Sequence, residues 1–256
     1  MCRLFRRTFF FIILVLLIGG LGIPVLAKKT KKGWKKAGSY YRYYKDGERL
    51  TGKKKIGTKT YYFNEKGYQM TGWQKIGKNY YFFRQEIKSK GYMKKSTKVN
   101  GIKLNKKGRA VLSSQRLKRK AALLVSYARW ADEIAPVSLK KEDRLRKCYD
   151  YLRRSINYGN SQDYRYNDPD QDLYFAELAL RQPLHDCYLS AAAFSFLANA
   201  LGYRNVSLCL NHGHGFVKIG SLIYDPTYGR ARDYNGYSYY GREPDAQYIT
   251  TFRGAV

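Results

Sequence analysis

Leu184–Tyr203 reads LHDCYLSAAAFSFLANALGY, and Gly213–Tyr228 reads GHGFVKIGSLIYDPTY. In the first stretch Asp186 is a residue type that caps helix starts, no breaker interrupts Cys187 to Leu201, and Gly202 ends the run. The spacing predicts a helix with Cys187 in its first turn, where the helix dipole favours an anion and thiols ionise more readily. Cys187, Ala191, Phe194, Ala198 and Leu201 share one face, and the alanines from Ala191 to Ala193 keep the helix thin enough to be central and buried. The second stretch predicts strands at Gly215–Ile219 and Leu222–Asp225 joined at Gly220 and Ser221, with a preceding strand at Val206–Leu210. A two-residue turn sets Ile219 opposite Leu222, Phe216 opposite Asp225 and His214 opposite Thr227. His214 and Asp225 then share a sheet face as diagonal neighbours, roughly 7 Å apart at the backbone. His212 lies on the same face one step further away.

Outward toward the N-terminus, Gln115–Ile134 places Leu117, Ala121, Leu124, Ala128 and Ala131 at helical steps before Pro136. A second helix, from Ser138 or Lys140 to Ile156, carries Leu145, Cys148, Leu152 and Ile156 on one face. Tyr158–Asp172 is polar and reads as a loop. The tyrosine-rich tail from Tyr234 to Phe252 is expected to pack on the domain. Cys148 and Cys209 read as core thiols, although a disulfide between them stays open. The odd count of three cysteines beyond Cys2 leaves at least one thiol free.

Between residues 33 and 112 the chain repeats itself. GWKKAGSYYRYYKDGERLT starts at Gly33, GKKKIGTKTYYFNEKGYQMT at Gly52 and GWQKIGKNYYFFRQEIKSKGYMKKS at Gly72, with a remnant from Val99. Short aromatic strands and glycine turns at this spacing predict stacked β-hairpins, each borrowing a wall from its neighbour. The whole chain carries +30, from 49 basic and 19 acidic residues. Residues 28–112 hold 26 basic and 4 acidic residues against 20 and 15 in residues 113–256, so the two parts have different surfaces. Such a field seeks polyanions. Arg3, Arg6 and Arg7 precede an apolar run from Phe9 that ends at Ala27 before a lysine cluster, which reads as a secretory signal or, uncleaved, a membrane anchor. Export sets nucleic acid aside and leaves wall polymers.

The repeats resemble the cell-wall-binding family of choline-binding and glucan-binding proteins, through Gly-Trp-x-x-x-Gly, then Tyr-Tyr-Phe, then a turn glycine, then Thr-Gly-Trp. That resemblance implies a hairpin solenoid whose aromatic side chains, Trp34, Tyr41, Tyr62, Trp73 and Tyr81 among them, line ligand seats. Lys53 replaces the tryptophan in the middle repeat. The lysines point to a teichoic-acid-like polyanion or wall polysaccharide as partner. Leu117 to Tyr228 resembles the transglutaminase-like superfamily: a Cys opening a helix, His-small-aromatic on a strand, then Tyr-Asp-Pro-Thr. It departs at His185, where the family commonly has glycine.

The second resemblance implies an α+β fold, a papain-like transglutaminase core of helices packed on an antiparallel sheet behind the N-terminal β-hairpin solenoid. The expected division is a signal or anchor at 1–27, wall-binding repeats at 28–112 and the catalytic domain at 113–256. Cys187 would be the nucleophile, His214 the base and Asp225 the third member of a triad performing acyl transfer on a protein or peptide amide. No cofactor and no metal are expected. A zinc site combining His212 and His214 with His185, Cys187 or Asp225 is the lesser alternative, and a wall-bound adhesin or scaffold with an inactive triad is the other. The protein is expected to be secreted and wall-associated, touching membrane only through residues 9–27 if these stay attached.

Overall fold

The computed structural model describes residues 31–157, 159, 168–183, 186–210, 213–231 and 239–244. The signal or anchor at 1–27, His185, His212, most of the polar loop after Tyr158 and most of the tyrosine-rich tail lie outside the described residues.

The repeats fold as antiparallel hairpins. β1 (Gly33–Ala37), β2 (Tyr40–Lys45) and β3 (Glu48–Arg49) form one sheet, and β4 (Gly52–Ile56), β5 (Lys59–Phe63) and β6 (Gln69–Met70) form the next. β7 (Gly72–Ile76) pairs with β8 (Asn79–Phe83), and the remnant gives the pair β9 (Thr97–Val99) and β10 (Ile102–Leu104). Gly38, Gly57 and Gly77 turn the three main hairpins at φ 61°, 59° and 58°, a left-handed conformation that favours glycine. Rings then join neighbours: Trp34 of β1 meets Tyr61 of β5 edge-on at 5.2 Å, and Tyr62 stacks on Phe83 at 5.9 Å.

The helices are α1 (Gln115–Ile134), α2 (Lys141–Ser155), α3 (Gln171–Ala179), α4 (Cys187–Ala200) and α5 (Pro226–Ala231). α4 is buried on nearly every side, from Tyr188 through Ala200 apart from Asn199, because its alanines let α1, α2, α3 and the sheet approach closely. That sheet runs β11 (Val206–Leu210), β12 (Gly215–Ile219), β13 (Leu222–Tyr224) and β14 (Tyr240–Arg242), antiparallel throughout. The result is helices on an antiparallel sheet beside a region of hairpins, an α+β arrangement. α3 was not foreseen, since a run of Asn and Asp precedes it. Arg116 and Arg119 of α1 hold Asp170, Asp172 and Glu177 at 2.6 to 3.1 Å, turning that acidic run into a tether between α1 and α3.

The third hairpin and the helices share one core. Trp73, Phe82, Ile102 and Leu104 cluster with the apolar faces of α1 and α4. Polar bridges reinforce that seam. Trp73 donates its indole N–H to Asn100 Oδ1 at 2.8 Å, and Asn100 donates to Asn199 Oδ1 at 2.8 Å. Gln85 donates to the Ala200 carbonyl and accepts from Thr71 and from Arg144, which also pairs with Asp132 at 2.5 Å.

Candidate functional site

Asp186 caps α4 as its residue type predicts, its Oδ1 accepting from the Leu189 N–H at 2.8 Å. Cys187 follows as the first helical residue and is partly exposed. Cys148, Cys187 and Cys209 are all free thiols, so the disulfide left open by the sequence is absent. Burial pushes the Cys148 and Cys209 thiols up to about 12, which leaves both unreactive.

The strand β12 meets the helix start at a glycine. A Cβ on Gly215 would lie 2.9 Å from the Cys187 carbonyl oxygen and 3.2 Å from its carbon, so only glycine permits this approach. His214 immediately precedes Gly215 and is thereby delivered to Cys187. The turn is the two-residue one predicted, with Ile219 opposite Leu222 and Val217 opposite Tyr224. Beyond Tyr224 the chain does not continue as a strand: Pro226 starts α5, which removes Thr227 from the expected place opposite His214. Asp225 still faces the imidazole, and His214 Nε2 lies 2.6 Å from Asp225 Oδ2.

Asp225 is fully buried and held from all sides. Its Oδ1 accepts from the Thr227 and Tyr228 N–H groups at 3.1 and 2.9 Å, and its carbonyl accepts from the Tyr149 hydroxyl at 2.9 Å. Tyr228 stacks on the His214 ring at 4.1 Å and 14°. Ser190 donates to the Cys187 carbonyl at 3.1 Å, and its hydroxyl lies 2.8 Å from that of Thr227, joining the first turn of α4 to the first turn of α5. Tyr149, Ser190 and Tyr228 are residues that sequence reading missed. Only Tyr228, close to the Asp-Pro pair, carried any local signal.

Burial alone would lower the His214 pKa, but hydrogen bonds to Asp225 and to Cys187, with their charges, raise it to about 9. These partners favour the protonated ring, which meets the carboxylate through Nε2. The ring also hydrogen-bonds Cys187. Among the described residues no cluster of His, Cys, Asp and Glu could hold a metal ion.

The aromatic residues expected to line ligand seats fall into two groups. Trp34, Tyr41 and Tyr62 are half-buried. Trp73 is fully buried in the shared core and Tyr81 is 2% exposed, so neither ring face is open to solvent. Trp73 is thus a core residue, because the third hairpin is the one that docks on α1 and α4.

Comparison with known proteins reaches the hairpins. Residues 50–96 match the choline-binding repeat family. No curated protein matches the chain. Similar solved structures include choline binding protein F from Streptococcus pneumoniae, 30% identical over 32% of this chain and 26% of that one, with a TM-score of 0.29. The choline binding domain of Spr1274 from the same organism is 25% identical over 32% of this chain and 95% of that one, with a TM-score of 0.28. A pneumococcal cell wall endolysin from phage Cp-1 complexed with choline is 27% identical over 32% and 25%, with a TM-score of 0.21. The match thus spans about a quarter of choline binding protein F. The family match thus places a choline-binding repeat at residues 50–96, within the hairpin array.

Proposed function

We propose that the chain is a wall-attached thiol enzyme that acts on amide bonds, residues 28–112 providing attachment and residues 113–256 the chemistry. The observation that carries this reading is the 2.6 Å contact of His214 with fully buried Asp225, beside a thiol at a helix start. Cys187 Sγ, having given its proton to His214, adds to an amide carbonyl. The oxyanion meets the Cys187 N–H, which has no partner within the helix. Protonated His214 passes its proton to the departing nitrogen, the C–N bond breaks, and a thioester remains. Water releases an acid, and a primary amine releases a new amide.

The experiment mixes the protein with isolated bacterial walls and a labelled primary amine. Amine incorporation lost in Cys187→Ala supports transfer, and new amino termini lost in the same variant support hydrolysis. The family match falls at residues 50–96, within the array, which favours a second reading: a non-catalytic wall-bound adhesin or scaffold. Walls that are bound but chemically unchanged would establish that reading and overturn the first.

A further inference from the structure

Trp34, Lys53 and Trp73 occupy the same register position in the three hairpins, opposite Tyr43, Tyr62 and Phe82. Tyr61 and Tyr81 are likewise equivalent in β5 and β8. Trp34 reaches to Tyr61 in the next hairpin, and Lys53 reaches to Tyr81 in the same way, its Nζ 4.3 Å from the ring centroid. The same ammonium donates to the Tyr81 hydroxyl at 3.2 Å. A cation supplied by the chain itself therefore sits on a ring face where a quaternary ammonium ligand would need to lie.

The pattern recurs across the array. Lys88 lies over Tyr41 at 4.9 Å, Arg42 over Tyr68 at 4.6 Å and Lys59 over Tyr92 at 4.4 Å. Around Tyr81 the consequence is sharpest. Burial works against ionisation of its phenol, yet hydrogen bonds from Lys53 and Arg109, with their charges, bring it below its ordinary value. A phenol oxygen accepting from two cations still has its own proton to donate. Lys53 and Arg109 are exposed, and among the described residues neither forms an ion pair, so each keeps donors to offer. Two cations and a phenolic donor from three successive hairpins match the oxygens of a phosphodiester.

We propose that Lys53, Tyr81 and Arg109 form a phosphodiester-binding seat, and that Lys53 is the residue that turns this position from an ammonium ligand to an anionic one. The proposal rests on the wall-attachment reading and names the ligand class for one position in it. The test titrates the full-length chain with poly(glycerol phosphate) in calorimetry and passes it over immobilised choline. The wild type should bind the polymer, and its retention on choline is the reference for the variants. Lys53→Trp should weaken polymer binding about tenfold and gain choline-eluted retention, while Lys36→Ala, which removes one exposed charge from the first hairpin, should change either far less.

Arg109→Gln and Lys53→Met test the same donors if the tryptophan variant fails to fold. Unchanged polymer affinity in these variants would overturn the seat. Phosphatidylglycerol vesicles distinguish the source of the phosphate: binding to them and not to the polymer would assign a lipid headgroup and also overturn it. Sedimentation with isolated walls separates the two levels. Walls left unbound by the wild type remove the attachment reading itself, whereas bound walls with unaffected variants remove only the seat.

Discussion

Replacing Asp225 with Asn tests the triad with almost no change of shape. The two N–H groups of Thr227 and Tyr228 that point at Oδ1 require an oxygen there, so the new amide NH2 takes the place of Oδ2 and faces His214 Nε2. A donor facing Nε2 forces that nitrogen to accept, which moves the ring proton to Nδ1, and Nδ1 can then no longer take the thiol proton. The carboxylate that raises His214 to about 9 is also lost, while the burial that lowers it stays. Cys187 still supports the charged ring, so the value falls toward the ordinary 6.5, a loss of up to about 3 kcal/mol of support for the imidazolium. At pH 7 the imidazolium fraction then drops from nearly all of the molecules toward a limit of about a quarter. Iodoacetamide labelling at pH 6 to 7 reads this directly, with Cys148 and Cys209 as internal references. Wild-type Cys187 should label well ahead of both, and the Asn variant should label it about 100-fold more slowly at an unchanged melting temperature. Equal labelling in the two proteins, or three equally slow thiols in the wild type, would refute the triad.

Gly215→Ala should press its Cβ on the Cys187 backbone, costing about 1–3 kcal/mol of stability in denaturant titration and slowing Cys187 labelling. Trp73→Ala should cost about 3–5 kcal/mol, because Trp73 is core, whereas half-buried Trp34→Ala should cost less in the same melts. Since the folded-state pKa of His214 is raised, its contribution to stability is fully present below about 6.5 and is lost as pH rises through about 9. Denaturation midpoints should therefore fall across that window in the wild type and fall less in His214→Gln.

What the sequence disclosed, and what it hid, follows from the range of the interactions involved. The start of α4 was legible because Asp186 caps locally, and the strand parity of His214 and Asp225 was legible because a two-residue turn fixes it. The hairpins announced themselves by repetition. α5 was hidden, because the Asp-Pro-Thr run reads equally well as the end of a strand. The role of Trp73 was hidden for a different reason: nothing within its own hairpin distinguishes it from Trp34, and only the docking of the third hairpin on α1 and α4 buries it. The same holds for Tyr149 and Ser190, whose partners lie 76 and 37 residues away.

That docking also gives α4 a second role. Its first turn carries Cys187 against Gly215, and its last turn offers Ala200 and Asn199 to Gln85 and Asn100 of the repeat region. Fourteen residues at about 1.5 Å each make a strut about 20 Å long between the thiol and the hairpins. A helix buried on nearly all sides cannot tilt at one end without disturbing packing at the other. The seam of Trp73, Gln85 and Asn100 and the helix turn that carries Cys187 therefore belong to one shared core.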